Sequence, residues 1–358
     1  MSPRLFRRAG QSERFSLSGS RHHHEQSRVR RRRRRGRHVR VLRRRDARRR
    51  GYDVVVVERK DAEEAGHIAC GDALKGASDF PEAIPKSQLE PAFTNTDVDH
   101  GRFEIPQEDA VLEIPVPGEL AVIDRWEYGR RVIDGAESKG TDFHYDTVVQ
   151  DVEQDDDGQV TGITAMRKGR EATYEADLVV DAAGALSLLQ DKTDFEGSTF
   201  DTNVRYSQFC SAYREIIEVE EPVEWDDALV FKPTERSAGY LWYFPRTSTE
   251  INAGLGFQMN EEPMELVDDL KADLEDRPEF RGAEVTDKLG AALPTRRPYD
   301  SAVAPGYIAV GDAAGHVNPT TGGGIAGRPT PGSTPPSRPS RPSRTTPPAT
   351  RRRSGNTT

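Results

Sequence analysis

The segment that most constrains this chain is an apolar strand that runs straight into small residues. Tyr307–Ile325 reads YIAVGDAAGHVNPTTGGGI, in which apolar residues typical of a buried strand precede an acid, three small residues and three glycines. The Asp312 carboxylate can accept hydrogen bonds from sugar hydroxyls, and the small residues let a ligand approach the backbone closely. Gly322, Gly323 and Gly324 predict backbone N–H groups facing an anion or a ring edge before a helix begins. The pattern favours a nucleotide site over a glycine-rich surface loop.

Two other apolar runs predict strands of the same kind. Residues 52–58 (YDVVVVE) end in Glu58, and residues 178–184 (LVVDAAG) enter a tight turn. An acid at the end of the second strand binds ribose hydroxyls in dinucleotide-binding folds. Glu58 is therefore a candidate ribose ligand, although many strands end in glutamate.

The remaining spacing predicts an α/β fold in which a nucleotide-binding domain is interrupted by an antiparallel sheet. Residues 124–139 have helical spacing, with Asp124 as N-cap, one face of Tyr128, Val132 and Ala136, and Gly140 as stop. Further strands are expected at 141–152, 160–166, 206–213, 228–232, 239–245, 251–257 and 307–310, and a helix at 261–275 with Val267, Leu270 and Leu274 inward.

Two weaker patterns lie elsewhere in the chain. Residues 69–74 (ACGDAL) predict a small turn in which Cys70 could lie against a flat cofactor or be a buried structural thiol. Residues 239–245 (GYLWYFP) place Tyr240, Trp242 and Phe244 at alternating positions of a strand. Such aromatics could wall an apolar substrate channel or belong to the core.

Together, VVVVERK, the Cys70–Gly71 turn, VIDRWEYGRR, GYLWYFP and GDAAGHVNPTTGGGI resemble the FAD-dependent geranylgeranyl reductase family, in particular the archaeal digeranylgeranylglycerophospholipid reductases. The resemblance spans about residues 51–327. It implies an aromatic-hydroxylase-like fold, with a Rossmann-like FAD-binding domain interrupted by a sheet domain over the flavin. The domains expected on this basis are 51–187 and 296–327 for FAD and 188–295 for the substrate.

The resemblance implies nine FAD-binding residues: Glu58, Cys70, Gly71, Ala73, Arg125, Val149, Asp312, Gly324 and Ile325. Glu58 would hold the adenosine ribose, and the Val149 backbone would meet the adenine. Asp312 would bind the ribityl chain, and Gly324 and Ile325 would cover the isoalloxazine ring. Cys70, Gly71 and Ala73 would line the flavin, and Arg125 would contact the cofactor.

The implied reaction is hydride transfer from reduced FAD to a C=C bond of a geranylgeranyl chain, with a proton added at the other carbon. Cys70 and a water are both candidate proton donors, and Tyr240, Trp242 and Phe244 would contact the isoprenoid lipid. The electron donor, ferredoxin or reduced nicotinamide, is left open. The alternatives are an FAD-dependent monooxygenase of the same fold, or an inactive remnant whose basic ends bind polyanions.

Charge divides the chain into three parts. Residues 1–50 carry 20 Arg and 3 acids, residues 328–358 carry 7 Arg and no acids, and residues 51–327 carry 24 Lys and Arg against 57 acids. We expect both ends to be disordered. We expect the middle to be a folded, salt-adapted cytoplasmic protein with at most peripheral membrane contact and no nucleic-acid partner, an ordinary acidic protein being the alternative.

Composition excludes several classes of protein. With two cysteines, Cys70 and Cys210, the chain has neither a disulfide scaffold nor a four-cysteine zinc site. No apolar run approaches the roughly 20 residues of a membrane span. His22–His24 is interpreted as an accident of a biased segment, and no metal site is predicted.

The chain departs from the family at both basic ends. The family opens with a strand and a GxGxxG turn, expected roughly 20–28 residues before Glu58, where this chain reads RRRRRRG at residues 30–36. Arginines carry side chains where that turn requires glycine. Because CGN arginine codons read one base later become GNN codons, our hypothesis is an out-of-frame origin for both ends. A genuine basic extension that binds nucleic acid or anionic lipid is the alternative.

Overall fold

The computed structural model describes residues 37–38, 52–75, 84–185, 189–193, 205–234, 239–259, 265–295, 302–319 and 321–325. The predictions for His22–His24, for residues 30–36 and 328–358 and for a helix after the glycine run lie outside these residues. In chain order the strands are β1 (Arg37–His38), β2 (Asp53–Val57), β3 (Ala73–Lys75), β4 (Phe93–Asn95), β5 (His100–Ile105), β6 (Ala110–Pro115), β7 (Leu120–Ile123), β8 (Asp142–His144), β9 (Thr147–Gln154), β10 (Val160–Arg167), β11 (Arg170–Glu175), β12 (Val179–Asp181), β13 (Phe209–Glu218), β14 (Ala228–Pro233), β15 (Gly239–Pro245), β16 (Glu250–Gln258), β17 (Glu284–Pro294), β18 (Val303–Ala304) and β19 (Tyr307–Ala309). The α-helices are α1 (Lys86–Leu89), α2 (Arg125–Glu137) and α3 (Leu266–Asp276).

The strand before Glu58 is a buried parallel strand, as its continuous valines predict. Strand β2 lies between β1 and β8 and is parallel to both. Val54, Val55 and Val56 are buried. The expectation of disorder for residues 1–50 is wrong at Arg37–His38, because parallel pairing uses backbone groups that do not depend on side-chain charge.

The strand before Asp312 is also confirmed. Strand β19 runs parallel to β12, with Tyr307 opposite Val179. Both strands pack into a core cluster that includes Val160, Ala313 and Ala314. The core of this part of the protein therefore reaches directly under the GDAAG turn.

The single strand predicted at 141–152 is wrong, because the chain divides it into β8 and β9. Asp146, between them, has a left-handed backbone with φ of 51°. Strand β8 joins β2, whereas β9 joins an antiparallel sheet with β10 and β11. Strand β11 was missed, although the Lys168–Gly169 turn before it has positive φ at both residues, as hairpin turns require.

Among the described residues, the second sheet has seven strands in the order β17-β13-β16-β15-β14-β5-β6. The predicted antiparallel strands 228–232, 239–245 and 251–257 are confirmed. The predicted strand 206–213 starts too early, because residues 206–208 form a 3-10 turn. The missed strands are β17, β5 and β6, and β5 pairs with β14 in parallel. Two strands from the range 51–187 thus complete the sheet of the range 188–295.

Helix α2 begins where the sequence predicts. Asp124 Oδ1 accepts a hydrogen bond from the Glu127 backbone N–H at 2.9 Å, which caps the helix. Tyr128 and Ala136 are buried, and Val132 is partly buried against the same cluster. Helix α3 buries Leu266 and Leu270, so the predicted inward Val267 is only half-buried. No helix in the described ranges is long and apolar enough to cross a membrane.

Replacing the cap gives the first testable prediction. We expect Asp124→Ala to lower the free energy of unfolding by about 0.5–2 kcal/mol, because the Glu127 N–H loses its acceptor. Asp124→Asn keeps an acceptor oxygen and should retain most of this stability. Urea unfolding of both variants measures the difference, and equal losses would show that the cap does not contribute.

Candidate functional site

The turn at Cys70–Asp72 lies directly against the aromatic strand β15. A Cβ added at Gly71 would stand 3.1 Å from Phe244 Cε2 and 3.4 Å from Trp242 Nε1. Any larger residue at position 71 would therefore push these rings apart. The structure thus brings together two patterns that lie far apart in the sequence.

A buried polar network holds this turn. Asp72 has a left-handed backbone, with φ of 67°, and a carboxylate without solvent exposure. Its Oδ2 accepts hydrogen bonds from Arg246 Nε at 2.8 Å and from Asn252 Nδ2 at 2.7 Å. Asn252 Nδ2 also donates to the Cys70 carbonyl at 2.8 Å, and Asn252 Oδ1 accepts from Trp242 Nε1 at 2.9 Å. The network therefore connects the turn to β15 and β16.

The sulfur of Cys70 lies in surroundings that disfavour a thiolate. Burial raises the pKa of Cys70 above its ordinary value, and the charge of Asp72 acts in the same direction. Arg125 and Arg214 oppose this shift. Cys70 therefore carries its proton at neutral pH. Burial also raises the pKa of Asp72, whereas the ion pair with Arg246 opposes that shift.

The glycine run contacts the same strand at Tyr240, on the face that also carries Trp242 and Phe244. Tyr240 donates a hydrogen bond from its hydroxyl to the Thr321 carbonyl at 2.8 Å. A Cβ at Gly324 would stand 3.6 Å from Asp312 Oδ1, so the ring-covering glycine and the predicted ribityl ligand are neighbours. The prediction that these N–H groups face a ligand is wrong at Gly322, whose N–H bonds to the Asn318 carbonyl at 2.8 Å, and at Gly323, whose N–H bonds to Thr321 Oγ1 at 3.4 Å, because the loop folds back on itself.

The other predicted cofactor residues lie at several positions of the fold. Arg125 is the first residue of α2 and lies over the Tyr128 ring at 5.6 Å. Val149 packs against the cluster that contains Ala313 and Ala314. Glu58 follows β2, where its Oε1 accepts from the Lys60 backbone N–H at 3.0 Å. Ala73 opens β3 beside the aromatic cluster, and Ile325 is exposed.

The three predicted substrate aromatics differ in exposure. Trp242 and Phe244 are only 7% and 5% exposed and belong to a core cluster with Val98, Leu229 and others. Tyr240 is half-buried, and burial raises its pKa to about 12. Of the three, Tyr240 is therefore the one that presents surface to a ligand without a rearrangement. The substrate role of all three stays a prediction.

A second polar cluster, which has no predicted role, contains His67, Arg214 and Asp287. His67 Nε2 lies 2.7 Å from Asp287 Oδ2, and its ring stacks on Trp126 at a centroid distance of 4.7 Å. The buried Arg214 also pairs with Asp287 at 2.6 Å. Asp72, Arg246 and Asn252 were missed as a network too. The only local signal was an acid inside the otherwise apolar ACGDAL.

Two groups among the described residues bear on the fit of a flavin nucleotide. Gly311 has a left-handed backbone, with φ of 59°, and a Cβ there would meet no atom within 4 Å. Arg125 Nη1 is buried and has no hydrogen-bond partner among the described residues. Open backbone beside Asp312 and an Arg125 Nη1 without a hydrogen-bond partner fit the ribityl and ring portion of FAD. The residues expected to hold the pyrophosphate lie outside the described ranges.

Comparison with known proteins points to the same class. The family model described as tryptophan halogenase matches residues 96–327. Digeranylgeranylglycerophospholipid reductase of Sulfolobus acidocaldarius is 32% identical over 203 residues, which cover 55% of this chain and 44% of the relative. Digeranylgeranylglycerophospholipid reductase 2 of Methanopyrus kandleri is 30% identical over 233 residues, which cover 62% of this chain and 53% of the relative. The chain spans about half the length of these curated relatives.

Solved structures share the fold. A geranylgeranyl bacteriochlorophyll reductase-like protein of Thermoplasma acidophilum aligns with a TM-score of 0.70 at 21% identity, covering 82% of this chain and 74% of that one. The flavin-dependent brominase Bmp2 aligns with a TM-score of 0.59 at 17% identity, covering 79% and 72%. The α/β fold of FAD-dependent oxidoreductases is thus confirmed. Because the family model matches well over half of the residues, the chain belongs to the tryptophan halogenase family and is related, within the FAD-dependent oxidoreductases, to the digeranylgeranylglycerophospholipid reductases.

Proposed function

We propose that this chain is an FAD-dependent reductase that saturates C=C bonds of geranylgeranyl chains in the biosynthesis of membrane lipids. The observation that carries the proposal is the contact of one aromatic strand with both flavin-binding patterns. Gly71 lies against Phe244 and Trp242, and Tyr240 bonds to Thr321 beside the glycine run. Relatives named for the reduction of such lipids support this substrate class.

The chain's own residues would hold the cofactor from several sides. Asp312 and Gly324 lie side by side, and Asp312 would bind the ribityl chain there, while Arg125 offers an Nη1 without a hydrogen-bond partner among the described residues. Glu58 and Val149 would bind the ribose and the adenine. When bound, reduced FAD supplies the hydride for one carbon of the alkene.

The second carbon needs a proton, which Cys70 would supply. Its thiol stays protonated at neutral pH, because burial and the charge of Asp72 both raise its pKa. Donation from Sγ to the carbon would form the new C–H bond, and solvent would return a proton to the thiolate. A water held in the same place is the alternative donor.

The aromatic strand would orient the alkene and exclude water. Trp242 and Phe244 form an apolar wall that is buried in the core, and Tyr240 stands at its edge. An isoprenoid chain offers no polar group, so its position would be fixed by such surfaces. The rest of the lipid would remain at the membrane, which would make the contact peripheral and the protein cytoplasmic.

The experiment that tests the proposal is an anaerobic reduction assay. The purified chain, added FAD and dithionite are incubated with digeranylgeranylglyceryl phospholipid, and the products are analysed by mass spectrometry. Dithionite replaces the native electron donor, whether ferredoxin or reduced nicotinamide. We expect the gain of two hydrogens per reduced double bond. Asp312→Ala should lose this activity because the ribityl ligand is removed, whereas Asp99→Asn, a change at an exposed carboxylate, should keep it.

Other outcomes would contradict the proposal in distinct ways. Hydroxylated or halogenated product that appears only with O2, and no reduction without it, would indicate a monooxygenase or a halogenase. A chain that binds no FAD but is retained on a nucleic-acid column, and loses retention when residues 1–50 are deleted, would be a polyanion-binding remnant.

A further inference from the structure

Asn252 is a buried amide whose hydrogen-bonding capacity is largely used at one turn. Its side chain is fully buried in strand β16. Its two amide hydrogens go to the Cys70 carbonyl and to Asp72 Oδ2, and its oxygen accepts from Trp242 Nε1. A buried amide with three hydrogen bonds rigidifies the groups that it joins. The groups joined here are the turn and the wall of the proposed flavin site.

Asp72 combines a left-handed backbone with a buried carboxylate. Its backbone is left-handed, which disfavours most residues other than glycine, asparagine and aspartate. Its carboxylate is buried, and Oδ1 has no partner among the described residues although Oδ2 has three donor contacts. Arg246, which compensates its charge, is itself held by Glu250 at 2.9 Å. The charge is therefore fixed in one place, beside the sulfur of Cys70.

We propose that Asn252 and the Asp72–Arg246 pair are positioning residues that fix the Cys70 thiol and the Gly71 backbone where the flavin ring would bind. The role in flavin binding rests on the proposed function, whereas the positioning of the turn by these side chains does not. Before β3 begins at Ala73, the Asp72 carbonyl accepts a backbone hydrogen bond from the Ile123 N–H of β7 at 3.1 Å, and the Asp72 N–H bonds to Cys70 Sγ at 3.3 Å. The side chains of Asn252 and Arg246 add tethers at the Cys70 carbonyl and at the Asp72 carboxylate.

Two variants separate positioning from charge. Asp72→Asn keeps the shape and tolerates the left-handed backbone, but it removes the negative charge beside the thiol. The remaining charged groups that face Cys70 are Arg125 and Arg214, which favour the thiolate, and the Tyr240 hydroxyl lies near as well. Asn252→Leu keeps the charge and removes the tether. The first variant should change the acidity of Cys70, and the second should change its accessibility.

The test is the pH profile of Cys70 alkylation by iodoacetamide, followed by mass spectrometry in the full chain carrying Cys210→Ser. We expect Asp72→Asn to shift the midpoint of the profile to lower pH by about one unit, and to speed alkylation about tenfold at pH 8. We expect Asn252→Leu to raise the high-pH plateau at least about fivefold with little shift of the midpoint. Asp99→Asn, a charge-matched change at an exposed site, should alter neither value.

Circular dichroism shows whether each variant is folded, so that unfolding is not mistaken for a loosened turn. Folded Asp72→Asn and Asn252→Leu variants with the wild-type profile would overturn the proposal. FAD titration is measured separately on the same proteins. If no protein binds FAD, the wild type included, the proposed function fails, whereas shifted thiol profiles would still support the tether.

Discussion

Arg246→Leu should lower the free energy of unfolding by about 3–5 kcal/mol. Arg246 is buried, and its guanidinium contacts Asp72 Oδ2 at 2.6 and 2.8 Å and Glu250 Oε1 at 2.9 Å. Removing it leaves the Asp72 carboxylate buried without a counter-charge, which costs more than the pair itself contributes. The loss should therefore exceed that of an ordinary surface ion pair severalfold.

Urea unfolding followed by circular dichroism measures this loss. Arg131→Leu is the matched control, because Arg131 pairs with Glu127 on the surface of α2 and should lose only about 0.3–0.5 kcal/mol. The double variant Arg246→Leu with Asp72→Asn should lose less than the sum of the two single variants, since no unpaired charge remains. Additive losses would show that the two side chains do not form a coupled pair.

The parts of the fold that the sequence predicts correctly have local causes. The four valines of β2 and the apolar run of β19 need no partner to be recognised as buried strands. Asp124 signals the start of α2 because the capping bond closes over three residues. The Cys70, Asp312 and Tyr240 segments stand out in the sequence because each combines small or aromatic residues with an apolar run, and their roles in binding stay predictions.

The parts that could not be predicted depend on distant partners. Strand β6 (AVLEIP) is exposed along its length and shows no alternation, so its pairing with β5 is visible only in the sheet. Strand β17 (EVTDKLGAALP) shows no regular alternation of apolar and polar residues either, and it is recognisable only from its antiparallel pairing with β13. The bond from Arg246 to Asp72 spans 174 residues of sequence. No pattern within ACGDAL shows which cation compensates the acid.

The second large effect concerns the pyrophosphate of FAD. In dinucleotide folds, backbone N–H groups of a glycine-rich turn after the first strand hold it. Strand β1 ends at His38, and in a dinucleotide fold the glycine-rich turn comes directly after the first strand, so its place in the sequence would be later than the residues 30–36 expected from sequence spacing. Between Arg30 and Tyr52 the chain has glycine only at positions 36 and 51. We therefore expect this chain to bind FAD weakly.

Grafting a glycine-rich turn into the chain measures how much FAD affinity its absence costs. Replacing residues 39–44 (VRVLRR) by GAGPAG should tighten FAD binding at least about 100-fold, since two charge-assisted hydrogen bonds contribute about 1.5–3 kcal/mol each. Replacing the same residues by six alanines removes the same arginines, Arg40, Arg43 and Arg44, without supplying the turn, and should leave affinity near that of the wild type. Quenching of FAD fluorescence gives the three dissociation constants. Stoichiometric binding by the wild type, as tight as by the graft, would mean that another part of the chain holds the pyrophosphate.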